Sequence, residues 1–383
     1  MHLRDDFIKI VLLFLSWRLL LVVFSIIAIN FIPLGSTDRF LGGGINNYQL
    51  SPHFFSLANF DGEHYLSISI FGYKSLEQAF FPVYPGLISI ISKPISLDFP
   101  SLTINSIFAG LLISNSAFLI ALILLFDLIR LDFSKKIAYW TIVILLIFPT
   151  SFYFASLYNE SLFLLLSIGA FYTARKQKWW FAGILGMIAS ATRVFGILIF
   201  FALLIEIWQQ KKSIKEVLGI FLIPLGLLGY MFYQWQTVGN PLAFYNLQTI
   251  VGEQHQQSII LFPQIMFRYL KMLLSVDFYN PIYQTLILEI VTGIAFLLLP
   301  IYGFFKKIRL SYIFYALVGF LLPTIQGSLS SSPRYILILF PSFIALAILI
   351  SSFPKWVRII YVLFSIMILG VETILFLRGY WVA

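Results

Sequence analysis

The chain has no cysteine. Disulfides, thiolate nucleophiles and cysteine-ligated metals are therefore excluded together. Charge is scarce: Asp, Glu, Lys and Arg make up 11% of 383 residues, against roughly a quarter in a soluble domain. Histidine occurs four times, as His2, His53, His64 and His255, without the H-x-x-x-H spacing of a zinc helix. No metal site is expected. What is present is apolar: 60% of residues are hydrophobic and the mean hydropathy is +0.94. A water-soluble fold of this size could not hide that much apolar surface. Disorder, a coiled coil, a disulfide scaffold and a soluble enzyme are excluded. The chain reads as an all-α, polytopic integral membrane helix bundle.

A hydrocarbon core needs about 20 apolar residues per helix. Hydropathy gives about 11 transmembrane spans, at roughly 8–32, 102–128, 137–154, 159–174, 179–192, 194–208, 216–234, 282–304, 310–326, 335–352 and 357–377. The spans meeting near Arg193 form either a tight hairpin or one broken helix. Alternation puts 16 of the 25 Lys and Arg residues on the side of the N-terminus and eight on the other, with Arg18 inside the first span. The basic bias predicts a cytoplasmic N-terminus and an extracytoplasmic or lumenal C-terminus. It also accounts for the net charge of +9 without a nucleic-acid partner. Trp179, Trp180, Trp356 and Trp381 fall at span ends and read as interfacial anchors. Residues 1–383 read as a single domain without a soluble appendage.

Two long segments, about 33–101 and 235–281, lie on the outer side and are expected to form the active-site face. In the first, Pro52–Tyr73 has helical character, and Asp61, His64 and Tyr65 share one side of such a helix. Pro82 and Pro85 are expected to break the helix that follows. Taken alone, Asp61 reads as a helix cap or a solvated carboxylate, and His64, Glu63 and Glu77 have equally plain readings. Arg193 and Arg334 could be arginines snorkelling to the interface. Glu160 opens a span, where a carboxylate is favoured by the helix dipole. Arg18 lies within an apolar span, where a charge is costly and usually faces the bundle interior. Glu289 is an unexplained intramembrane acid.

Five segments, in order, carry a resemblance. They are "NFDGEHYLSISIFGY…EQAFFPVYPG", "SLYNESLFLLLSIGAFY", "ASATRVFG", "GNPLAFYNLQTIVG" and "SSPRYILILFPSFIALA". Together they resemble the PIG-V family of mannosyltransferases, which includes GPI mannosyltransferase II and prokaryotic relatives. Phe60 stands where that family commonly has Trp, and Val194-Phe195 replaces a more polar pair.

The resemblance implies a GT-C glycosyltransferase: an enzyme that moves a sugar, here mannose, with inversion. The donor would be a polyprenyl- or dolichyl-phosphate sugar, the acceptor a lipid-linked molecule or glycan at the outer face. It places the catalytic carboxylate at Asp61. Arg193 and Arg334 are candidates for the leaving phosphate, and Arg18 for the donor phosphate or a carboxylate. Glu77 is expected to support Asp61 or the acceptor, and Glu160 to contact the acceptor. Tyr84, His64 and Tyr335 are further candidates for substrate contacts. No cofactor is expected beyond the donor substrate, and a partner subunit is open. Two other readings remain: a flippase or transporter of a lipid-linked sugar, and a GT-C enzyme for a different sugar.

Overall fold

The computed structural model describes residues 2–35, 41–247, 260–325 and 327–382, and among these no strand occurs. The segments are α1 (His2–Phe31), α2 (Asp61–Phe71), α3 (Val83–Ser92), α4 (Phe99–Ile129), α5 (Lys135–Leu146), α6 (Glu160–Arg175) and α7 (Trp179–Ser190). They continue with α8 (Ile197–Gln209), α9 (Ile223–Val238), α10 (Phe262–Ser275), α11 (Ile282–Phe305), α12 (Leu310–Thr324), α13 (Phe340–Ser352) and α14 (Lys355–Leu377). Part of the second outer segment, 248–259, lies outside the described residues, as do the end of the GNPLAFYNLQTIVG motif and Arg39.

Among the described residues, five helices are long and apolar enough to cross a membrane. They are six if Ser332–Ile338 and α13, bent by 92° at the break before Phe340, form one span. The protein is an integral, multi-pass membrane protein. Hydropathy counts more spans because it runs across interruptions. The apolar stretch at 137–154 ends as helix at Leu146, then continues as a 3-10 turn over Ser151–Ala155.

α4 starts sharply. Asp98 Oδ1 accepts from Ser101 N at 2.8 Å and Ser101 Oγ accepts from Asp98 N at 3.0 Å, a reciprocal cap with Pro100 in the first turn. α4 packs closely along α6 and the segment before it. A Cβ on Gly110 would fall 1.9 Å from Leu157 Cδ1, so a larger residue here would force the buried Leu157 side chain to move. Phe118 stacks on Phe154 with centroids 4.1 Å apart.

α6 links two polar regions, about 22 Å apart at 1.5 Å per residue. At its far end, the fully buried Glu206 accepts an ion pair from Arg309 at 2.7 Å and lies 3.6 Å from Arg175, which also pairs with Asp132. Nearby, Asp6 pairs with Lys135 at 2.7 Å. The cations here are among those that alternation assigns to the inner side. The start of α6, at Glu160, belongs to the candidate site.

Three local readings change. The expected helix over Pro52–Tyr73 is divided: Phe60 has φ 56°, so Pro52–Phe55 and a 3-10 turn end before α2 begins at Asp61. Pro82 and Pro85 do not break a helix but start one. Pro82 is the N-cap of α3 and Pro85 falls in its first turn, where a missing N–H costs nothing. Trp179 is 4% exposed and packs in the core, unlike the exposed Trp180 and Trp356. The chain doubles back tightly between α7 and α8, where a Cβ on Gly196 would meet Ser190 N at 2.3 Å.

Candidate active site

Asp61 is the first residue of α2, where free backbone amides favour a carboxylate. Its Oδ2 lies 2.7 Å from Arg334 Nη2. Arg334 sits on a one-turn helix, Ser332–Tyr335, entered through Ser331 at φ 60°. Its Nε lies 3.3 Å from Glu160 Oε1, close enough for charge attraction but without hydrogen-bond alignment. Arg193 donates from Nη1 to the same Glu160 oxygen at 2.7 Å and to Asn159 Oδ1 at 2.9 Å. Charges therefore alternate along Asp61, Arg334, Glu160 and Arg193, and cancel in sum.

The burial is uneven. The side chains of Glu160, Arg334 and Arg193 are 2, 9 and 10% exposed, whereas that of Asp61 is 28% exposed. Asp61 is thus the most exposed member of the cluster, while Arg334 holds its Oδ2. Glu160 Oε2 is buried without a hydrogen-bond partner, an acceptor left open inside the cluster. Three tyrosine rings surround Arg334: Tyr335 at 5.0 Å, Tyr158 at 5.4 Å and Tyr153 at 5.6 Å from its central carbon. Arg193 lies over Tyr335 at 5.6 Å. Flat aromatic walls both attract the guanidinium planes and restrict their rotation.

Of the residues singled out from sequence, Asp61, Arg193, Arg334, Glu160 and Tyr335 come together here. His64 lies one turn along α2 from Asp61 and stacks on Phe80 at 4.6 Å. The others are placed elsewhere. Glu77 is buried and accepts from Lys74 N at 2.7 Å, closing the turn that puts Leu76 at φ 72°; it does not touch Asp61. Tyr84 is fully buried, donating to Gly110 O at 3.1 Å and sharing a 2.7 Å hydrogen bond with Ser114 Oγ. It fastens α3 to α4 rather than lining an open pocket. Arg18 is half-buried beside Trp17 on α1 and forms no ion pair with the cluster.

Glu63, two residues after Asp61, accepts from Gly43 N at 3.1 Å. Burial pushes its carboxyl above the usual range, and the Gly43 hydrogen bond pulls it partly back. It ties the glycine turn at 42–44 to α2. Glu289 has a structural explanation: its Oε1 accepts from Ser331 N at 3.1 Å, anchoring the loop that carries Arg334.

Tyr153, Tyr158 and Asn159 were not singled out. Tyr158 and Asn159 were within reach, since they adjoin Glu160 in the YNES motif. Tyr153 carries no sequence signal; a 3-10 turn delivers it.

A groove of about 580 Å³ runs beside α2, lined by Ile68, Tyr73, Pro85, Gly226, Tyr230 and Tyr233 among others. Ala191, also on its wall, is two residues from Arg193. The groove is largely apolar and begins about two turns along α2 from Asp61.

No curated protein matches the chain. Among solved structures, ArnT from Cupriavidus metallidurans in the apo state is similar at 14% identity over 88% of this chain, with a TM-score of 0.49. This chain covers 60% of that ArnT chain. The same protein bound to undecaprenyl phosphate gives 13% identity over 96% of this chain and 77% of that chain, with a TM-score of 0.49. The Archaeoglobus fulgidus oligosaccharyltransferase in complex with Zn and sulfate gives 14% identity, 94% of this chain and 53% of that chain, and 0.42. These are distant likenesses of shape. The family model described as Mannosyltransferase (PIG-V) matches residues 7–245, well over half the chain, and ends before the segment at 331–347. It covers Asp61, Glu160 and Arg193, and the chain belongs to the PIG-V mannosyltransferase family.

Proposed function

We propose that this protein is an inverting membrane glycosyltransferase of GT-C type that moves mannose from a polyprenyl- or dolichyl-phosphate donor to a hydroxyl on a lipid-linked molecule or glycan. The observation that carries the reading is the partly exposed Asp61 carboxylate, paired with Arg334 at the end of the alternating Arg334–Glu160–Arg193 cluster. In this reading the N-terminus is cytoplasmic, the site lies at the extracytoplasmic or lumenal face, and shorter apolar helices complete about 11 membrane passages.

The reaction needs few groups. The acceptor O–H proton passes to the Asp61 carboxylate as the oxygen bonds to the sugar's C1. The C1–O bond to phosphate breaks, and its electron pair leaves with the phosphate. The leaving group is already a phosphate ester, so no acid is required, and inversion needs no covalent intermediate. The phosphate gains a negative charge as Asp61 loses one. Protonation of Asp61 therefore frees Arg334 from its counter-charge at the moment the phosphate needs a cation. Arg193 and Arg334, with their fork of donors, suit phosphate oxygens. Positive charge aimed at where negative charge develops is a large term in catalysis.

A transfer assay tests this. Purified wild type and Asp61→Asn receive a short-chain polyprenyl-phosphate mannose and a membrane lipid extract. Transfer by wild type, with a loss of about 10²–10⁴-fold in the variant, is expected. Equal transfer by both would overturn the role of Asp61. No transfer by either, with lipid flipping in liposomes, would favour a transporter.

A further inference from the structure

Phe60, the residue before Asp61, has φ 56° and ψ −123°. A side chain with a Cβ rarely adopts this backbone region, and glycine is the usual occupant. Here a large aromatic residue keeps it, so the ring must be held by something that glycine could not engage. Two rings hold it. Phe376 on α14 lies 5.8 Å away at 39°, and Trp381, beyond α14, lies 5.5 Å away edge-on at 88°.

The neighbouring residue is fastened to the same places. Asn59 is fully buried, its Nδ2 donates to Phe376 O at 2.9 Å, and its carbonyl accepts from Tyr158 OH at 2.8 Å. The Phe376 ring in turn packs on Tyr153 at 5.2 Å and Tyr158 at 6.1 Å. Those two tyrosines wall the Arg334 guanidinium. One aromatic block therefore sets both members of the Asp61–Arg334 pair, which come from distant parts of the chain.

We propose that Phe60, Phe376 and Trp381 form an aromatic clamp whose function is to position Asp61: the clamp holds the strained turn at Phe60 so that the Asp61 carboxylate meets Arg334 and stays partly exposed. These are positioning residues, since none is proposed to touch substrate. The inference rests on the reading of Asp61 as the base. Strained backbone concentrates at functional sites because the surrounding structure must over-determine it. Trp381 is 44% exposed, so its indole face is not needed to fill the core. As a mere interfacial anchor it would have no reason to meet Phe60 edge-on.

The test uses the full chain in detergent and four variants: Trp381→Ala, Trp381→Phe, Phe60→Gly and the Phe60→Gly/Trp381→Ala pair. Two quantities are read. One is amide hydrogen exchange at 59–63 compared with the rest of α2 and with α14. The other is kcat and KM with short-chain polyprenyl-phosphate mannose. In Trp381→Ala, exchange at 59–63 should quicken locally and kcat should fall about 10- to 100-fold, as expected for a misplaced reacting group, with KM nearly unchanged. Trp381→Phe should restore most of kcat. Phe60→Gly frees the backbone of its steric cost and should still lose kcat, and the pair should be no worse than its worse member. Unchanged exchange in Trp381→Ala, or quickened exchange throughout α2 and α14, would overturn the clamp. So would kcat losses that multiply in the pair. If Asp61→Asn keeps full turnover, the base assignment fails, and local exchange still decides whether the clamp exists.

Discussion

Arg334 Nη2 lies 2.7 Å from Asp61 Oδ2, and the same guanidinium brings Nε to 3.3 Å from Glu160 Oε1. One arginine thus faces two carboxylates along two edges of its plane. A lysine offers a single point charge and cannot span both. Arg334→Lys should fold, because the charge remains, yet lower transfer by about 10²–10³-fold, the loss typical of removing a preorganised donor. Parallel measurement of thermal unfolding and transfer separates the two effects.

Glu160 holds both arginines and is buried. Glu160→Gln keeps the shape and removes one negative charge, leaving the cluster with a net positive charge. The released phosphate should then bind more tightly, by about 10-fold, equivalent to about 1.4 kcal/mol, and turnover should fall. Inhibition by short-chain polyprenyl phosphate reports this. Weaker inhibition in the variant would show that the phosphate does not sit against these arginines.

At the other end of α6, Glu206 is a fully buried carboxylate between Arg309 and Arg175. Removing one member of such a network leaves uncompensated buried charge. Glu206→Ala should destabilise the fold by about 3–5 kcal/mol, and the fraction that stays folded should keep its specific activity. Thermal unfolding in detergent, paired with activity per folded molecule, checks both parts.

Burial holds the Glu63 carboxyl above its usual range. An acid whose folded value exceeds its unfolded one costs stability, and the direction follows by linkage. The cost is absent below the unfolded value, about 4.3, and grows as pH rises through the folded one. Glu63→Gln can still accept from Gly43 N and carries no charge. Its melting temperature should match wild type in acid and exceed it at neutral pH. A variant less stable at neutral pH would show that the Gly43 hydrogen bond needs the full carboxylate charge.

The membrane class was legible from composition alone, since no soluble packing accommodates so few charges. Ordered motifs likewise brought Asp61, Glu160, Arg193 and Arg334 into consideration, and the fold gathers these four. Tyr84 and Glu77 were drawn in because their motif adjoins Asp61 in sequence. Adjacency along the chain does not carry through the turn at Leu76 and the start of α3, which send Glu77 into a backbone hydrogen bond and Tyr84 into the α3–α4 contact. Span ends differ from those read by hydropathy for a related reason. Hydropathy averages over a window and cannot see where a helix stops inside an apolar stretch, as at Leu146.

Local chemistry along the chain thus decided the solvent, the helical content and the family, because each depends on residue types within short windows. The tertiary fold alone decided that Asp61 meets Arg334, that Glu160 is shared by two arginines, and that Phe376 and Trp381 close on Phe60. Those relationships join residues far apart in sequence. They exist only once packed helices and buried charge have fixed where each segment ends.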